Sequence, residues 1–109
     1  MPYIAPHHRQ ELDPLIDQLA QGIVLEAQKY DYDAAFACIL NYACTSLALK
    51  VARRQFGPLR YWLIALITGT FKNLADEFYR RVAAPYEDRQ MAQNGQVEIY
   101  REYLEEIEK

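Results

Sequence analysis

The sequence predicts an all-α fold, a compact helical bundle of about four helices that assembles as a homo-oligomer. Three observations predict it. Apolar residues recur at spacings of three and four along most of the chain, and the stops fall at Gly57-Pro58, Pro85 and Asn94-Gly95. The hydrophobic fraction is 51% in only 109 residues, a size that buries a limited core, so surplus apolar surface points to self-association.

Met1 to His8 carries two prolines and no periodicity, which predicts an extended arm. The first helix is expected to begin near Arg9 or Asp13, with Asp13 as cap and Pro14 in the first turn. Leu12, Leu15, Ile16, Leu19 and Ile23 form its apolar stripe. A second helix is expected over 33–56, with a bulky stripe of Phe36, Ile39, Leu40, Ala43, Leu47 and Val51. Beside it runs a stripe of small residues, Ala34, Cys38, Asn41, Thr45, Ala48 and Ala52, where another helix can approach closely.

The third helix is expected to start at Pro58 and to be apolar nearly all round in its first half, with Trp62 and Leu66 among its contact residues. That pattern predicts burial on every side, and the second and third helices are expected to lie antiparallel. Pro85 removes a backbone donor and disfavours helical geometry at Ala84, so a kink or break is expected there. Asn94-Gly95 reads as a turn or C-cap. Beyond it Val97, Tyr100, Leu104 and Ile107 form the seam of an acidic amphipathic tail helix over 96–109. Two heptads are too few to stand alone, so this seam must dock on its own body or on a neighbour.

Charge is divided unevenly. Between Asp33 and Asp76 there is no acidic residue, yet Lys50, Arg53, Arg54, Arg60 and Lys72 are present, whereas residues 96–109 hold five glutamates against Arg101 and Lys109. The net charge of −3 makes the positive stretch a local field rather than a general affinity for polyanions, so nucleic acid is not the expected partner. Cys38 and Cys44, six apart on one helix, lie on different faces and roughly 9 Å apart along its axis. They cannot pair with each other and are expected as buried thiols in a reducing cytoplasm. The longest apolar run, Tyr61 to Phe71, falls short of the ~20 residues a bilayer span needs, and no membrane association is expected.

Candidate chemistry centres on arginines. Arg53 and Arg54 close the second helix, where the dipole favours cations anyway. Arg60, expected in the first turn of the third helix, opposes the dipole there, and a tight Gly57-Pro58 turn would hold it near the other two. Three guanidinium groups around one turn suit bidentate contact with phosphate oxygens. Arg80 and Arg81, interleaved with Tyr79 and Tyr86, offer stacking and charge for a base or nucleotide. The ordinary reading of the tyrosines, with Tyr42 and Tyr61, is a buried ring with a wet hydroxyl at a helix interface.

Asn41 and Thr45 suit a polar pair that fixes register inside a helix interface. Asp76, Glu77, Glu87 and Asp88 are the clustered carboxylates, but on a continuous helix the two pairs stand roughly 16 Å apart, too far to share a metal. Partners at i+4, Arg80 and Arg81, account for the first pair. His7-His8 lacks further ligands at metal-site spacing. No cofactor, metal ligand set or catalytic residue is therefore assigned.

The opening MPYI, LDPLID, NYACT and above all FKNLADEFYRRVAAPYEDRQMAQNG resemble a family of small uncharacterised proteins of bacteria and their phages. The resemblance implies no activity, cofactor or catalytic residue. Members generally end soon after the NG turn, which implies that the acidic tail is an addition for assembly. The expected function is that of a non-catalytic binding or assembly protein that sequesters a small phosphorylated ligand, such as a nucleotide, at a subunit boundary, a role that suits phage-related ancestry. The alternatives are a magnesium-dependent nucleotide hydrolase using the four carboxylates, and a purely structural subunit.

Overall fold

In the computed structural model, which describes residues 1–109, every regular element is helical: α1 (Pro6–Ala27), α2 (Ala35–Phe56), α3 (Tyr61–Phe78), a π turn (Tyr79–Ala83), α4 (Ala84–Asn94) and α5 (Glu98–Glu108). Because α3, the π turn and α4 run on without interruption from residue 61 to 94, the chain forms four helical rods, as expected. It divides into two units, residues 1–70 and 71–109, with the division inside α3.

In the first unit, α1 begins earlier than the sequence suggested. Pro6 opens it, its ring presetting helical φ where an N–H would lack a partner anyway, so only Met1–Ala5 is extended. Arg9 Nε donates to the Ile4 carbonyl at 2.8 Å and ties that short arm to the first turn. Pro14 is an interior residue rather than a first-turn one. It leaves the Gln10 carbonyl without its helical donor, an omission tolerable where α1 is open to solvent, which can hydrate that oxygen.

Within this unit α1 packs on α2. Ala35, Ile39, Ala43 and Ser46 give the first half of α2 its covered face, Ala35 being fully buried. Its bulky residues Phe36, Leu40, Leu47 and Val51 are exposed instead. Ile39 apart, small side chains sit on the covered face and large ones outside.

The helix pair expected to run side by side, the second with the third, meets only at its corner. Gly57 leaves α2 with φ +83° and donates its N–H to the Arg53 carbonyl at 2.8 Å. Pro58 to Arg60 complete the bend, so α3 starts at Tyr61 and not at Pro58. Phe56 and Trp62 meet edge to face across this corner, ring centres 5.0 Å apart, and Ala52 and Leu63 on the two flanking helices are buried. The expectation of all-round burial for α3 fails within one chain: Tyr61 is 84% exposed and Leu66 61%.

In the second unit the helix passes Pro85 without breaking. A wide turn at Tyr79–Ala83 precedes it, closed by the Ala84 N–H bonding back five residues to the Tyr79 carbonyl. A π turn adds one residue to the coil, which relieves the clash a proline ring makes with the carbonyl four residues earlier. Gly95, at φ +88°, caps α4 through the Met91 carbonyl, as the Asn94-Gly95 signal predicts. Val97 is the extended cap of α5, and its N–H donates to Gln96 Oε1.

Only three side chains in the whole chain are buried hydrophobics: Ala35, Ala52 and Leu63. The chain exposes 9827 Å². Two separate compact bodies of these lengths would together expose only about 7,500 Å².

Candidate functional site

The basic stretch lies where α2 ends and α3 begins. Arg53 and Arg54 occupy the last turn of α2, where the helix dipole favours cations. Arg60 precedes α3 rather than lying in its first turn, and its carbonyl accepts the Ile64 N–H at 3.0 Å. Lys50, Arg53, Arg54, Arg60 and Lys72 make no ion pair, since no carboxylate lies within reach of them.

These cations are not all gathered in one place. Lys50 and Arg53 line a hollow of about 190 Å³ with Leu49 and Leu59, while Arg54 and Arg60 are not part of its wall. Such a volume is below the ~300 Å³ at which small-molecule pockets begin. The wall of the hollow is almost wholly aliphatic, with Lys50 and Arg53 contributing mainly their stems. Lys50 and Arg53 share a face of α2 by their spacing of three, and the folded corner adds Leu59 to them.

Arg80 and Arg81 are placed differently. Both turn to Glu77: Arg81 Nε donates to one carboxylate oxygen at 3.0 Å and Arg80 Nε stands 4.0 Å from the other. Glu77, half-buried between them, offsets one of the two charges, and both guanidinium groups are already turned toward it. Tyr79 spans the π turn, its hydroxyl donating to Glu87 Oε2 at 3.2 Å. That bond, and then the Glu87 charge, push the Tyr79 phenol above its ordinary value. Tyr86 is exposed.

A hollow of about 440 Å³ between the end of α4 and the start of α5 is lined by Glu87 and Asp88 among others. Two carboxylates repel a phosphate. No three of the chain's His, Cys, Asp or Glu residues come together as a metal site, so Asp76, Glu77, Glu87 and Asp88 do not converge.

The remaining expected residues are open. Thr45 Oγ1 donates to the Asn41 backbone carbonyl at 2.8 Å, not to the Asn41 amide, and both residues are exposed. Trp62, Leu66, Val97, Tyr100, Leu104 and Ile107 are all exposed. Cys38 and Cys44 are free but exposed, not buried thiols.

One feature escaped the search for apolar runs. α2 is long and apolar enough to cross a bilayer by length and composition, with mean hydropathy 1.5. Its apolar residues are interrupted by Asn41, Thr45 and Ser46, which hid it behind the unbroken but shorter run in α3. An interior helix of a soluble protein has the same composition, so this is a weak sign of membrane insertion.

Neither the curated proteins nor the solved structures include a match to this chain. The π turn, the basic corner and the unpaired apolar faces of α1 to α3 all lie within residues 1–97, the stretch matched by the family described as a domain of unknown function, DUF6899, and the chain belongs to that family.

Proposed function

We propose that this chain is a non-catalytic helical subunit whose folded form is an assembly of copies of itself, in the cytoplasm, with α2 covered by protein rather than lipid. The observation that carries this reading is the surface. With three buried hydrophobic side chains and 9827 Å² exposed, each chain presents about 2,300 Å² more than two compact bodies of its parts would. An excess of that size is at the upper end of what each obligate subunit hides from water, such interfaces totalling ~2,000–5,000 Å² over both partners, or ~1,000–2,500 Å² per subunit. Native mass spectrometry on protein purified without detergent tests it: a multimer is the expected result, and a monomer at micromolar concentration rejects it.

A second reading, that the assembly also holds a small phosphorylated ligand, is favoured by the unpaired Lys50 and Arg53 around one hollow. The hollow admits a phosphate group rather than a whole nucleotide, so the rest of such a ligand would lie against a second subunit. The same spectrum reads it as excess mass on the multimer, absent after Arg53→Ala. Arg80 and Arg81, already engaged by Glu77, are not assigned to that ligand.

A further inference from the structure

We propose that the corner between α2 and α3 docks on an anionic phospholipid surface, its cations taking headgroup phosphates and its aromatic rings settling among the headgroups. This deepens the second reading, on whose phosphate chemistry it rests, by naming membrane lipid as the source of that phosphate. Only the corner touches lipid, so the apolar stripe of α2 stays with protein, and docking of this kind needs no spanning helix.

The charge here has one sign. No carboxylate occurs between Asp33 and Asp76, and Lys50, Arg53, Arg54 and Arg60 are exposed and take part in none of the chain's ion pairs. On α2 the first three fall within an arc of about 100°, at 100° per residue, whose centre lies about 150° from the buried Ala52. They therefore face away from the body. Leu59, next to Arg60, shares a hollow with Lys50 and Arg53, so the bend folds back beside that face. Arg54 and Arg60 lie outside the hollow, which disfavours a single compact ligand for all four cations. A headgroup layer presents phosphates across a whole plane, and each cation can meet its own.

Apolar side chains stand among the cations. Phe56, Leu59, Tyr61 and Trp62 are all exposed. Tryptophan and tyrosine rings settle at the headgroup level of a bilayer, and lysine and arginine stems lie along apolar neighbours while their charged heads reach phosphate. Nucleic acid would meet the same charges, but a strand is held along a basic groove, whereas the hollow beside Arg53 is only about 190 Å³. The net charge of −3 also repels a long polyanion beyond the corner, while a surface touched at one point is spared that repulsion.

Trp62 is the only tryptophan, so intrinsic fluorescence reads this corner alone. Full-length protein is titrated with vesicles of phosphatidylcholine mixed with phosphatidylglycerol, and with vesicles of phosphatidylcholine alone, and co-sedimentation measures binding. The expected result is binding to the mixed vesicles only, with Trp62 emission shifted to shorter wavelength, quenched by brominated phosphatidylglycerol, and restored by moderate salt. Arg54→Gln with Arg60→Gln is expected to bind about twenty-five-fold more weakly, since each cation near such a surface is worth about fivefold. Circular dichroism checks that this variant keeps its helicity, and the brominated-lipid quenching of wild type needs no variant. Binding that leaves Trp62 emission unchanged, that survives both arginine changes, or that is equal on phosphatidylcholine alone overturns corner docking. Retention at high salt overturns it in favour of α2 entering the bilayer, and equally tight binding of an RNA oligonucleotide overturns it in favour of a general polyanion site. Glycerol 3-phosphate held by the protein without vesicle binding overturns it while the second reading stands with a soluble ligand; binding of neither overturns both. If no vesicle binds and the arginine variant has a lower subunit count than wild type, docking is overturned and the corner belongs to an interface between copies.

Discussion

Gly57 holds φ +83° and ψ −135°, a region that a residue with a Cβ enters only under strain, yet a Cβ there would meet no atom within 4 Å. Gly57→Ala therefore isolates backbone cost from steric cost. A loss of about 1–3 kcal/mol in a urea titration is expected. Tyr79 makes a second residue-scale prediction. Its phenol is raised because the protonated form donates to Glu87, so that contribution is complete below the unfolded value near 10 and disappears as pH rises through the folded value. Glu87→Gln should bring the Tyr79 midpoint, followed by ultraviolet absorbance, down toward 10. Some of this was legible in the sequence: the i+4 spacing of Glu77 and Arg81 is a helix pairing, and it appears at 3.0 Å. The Tyr79 bond to Glu87 was not, because eight residues apart on an even coil is not a contact spacing.

At the scale of elements, stops were easier to read than starts. Gly57 and Gly95 both end helices with positive φ, the conformation for which glycine is selected. Starts misled because two prolines offered the same signal. Asp13-Pro14 resembles a capped first turn, but Pro6 supplies that turn and the helix simply passes Pro14. The start expected at Pro58 falls later because the left-handed Gly57 bend takes up three further residues. The π turn was invisible to periodicity, which counts side chains and not the hydrogen bonds between them. Pro85→Ala removes the ring that the wide turn accommodates. The stretch should then relax to an even α-helix, turning everything beyond it by about 100°. Loss of the Tyr79 bond to Glu87 would report it, with the phenol returning to an ordinary titration midpoint while helicity is kept.

For the whole molecule, the apolar fraction of the sequence foretold surplus surface but not its location. α3 was expected to be buried on every side in a homo-oligomer, and within its own chain only Leu63 of that helix is buried. Thermal midpoints measured over a hundredfold dilution series should fall steadily, since stability that comes from association follows mass action. A constant midpoint would mean that three buried side chains suffice. The three-residue core has a consequence for the cell as well. A newly made copy without neighbours displays its helices to proteases, while an assembled one does not. Under the proposed assembly orphans would be removed first, and abundance would become a threshold property: synthesis below the level that supports assembly would yield almost no protein, and a modest rise above it a long-lived pool.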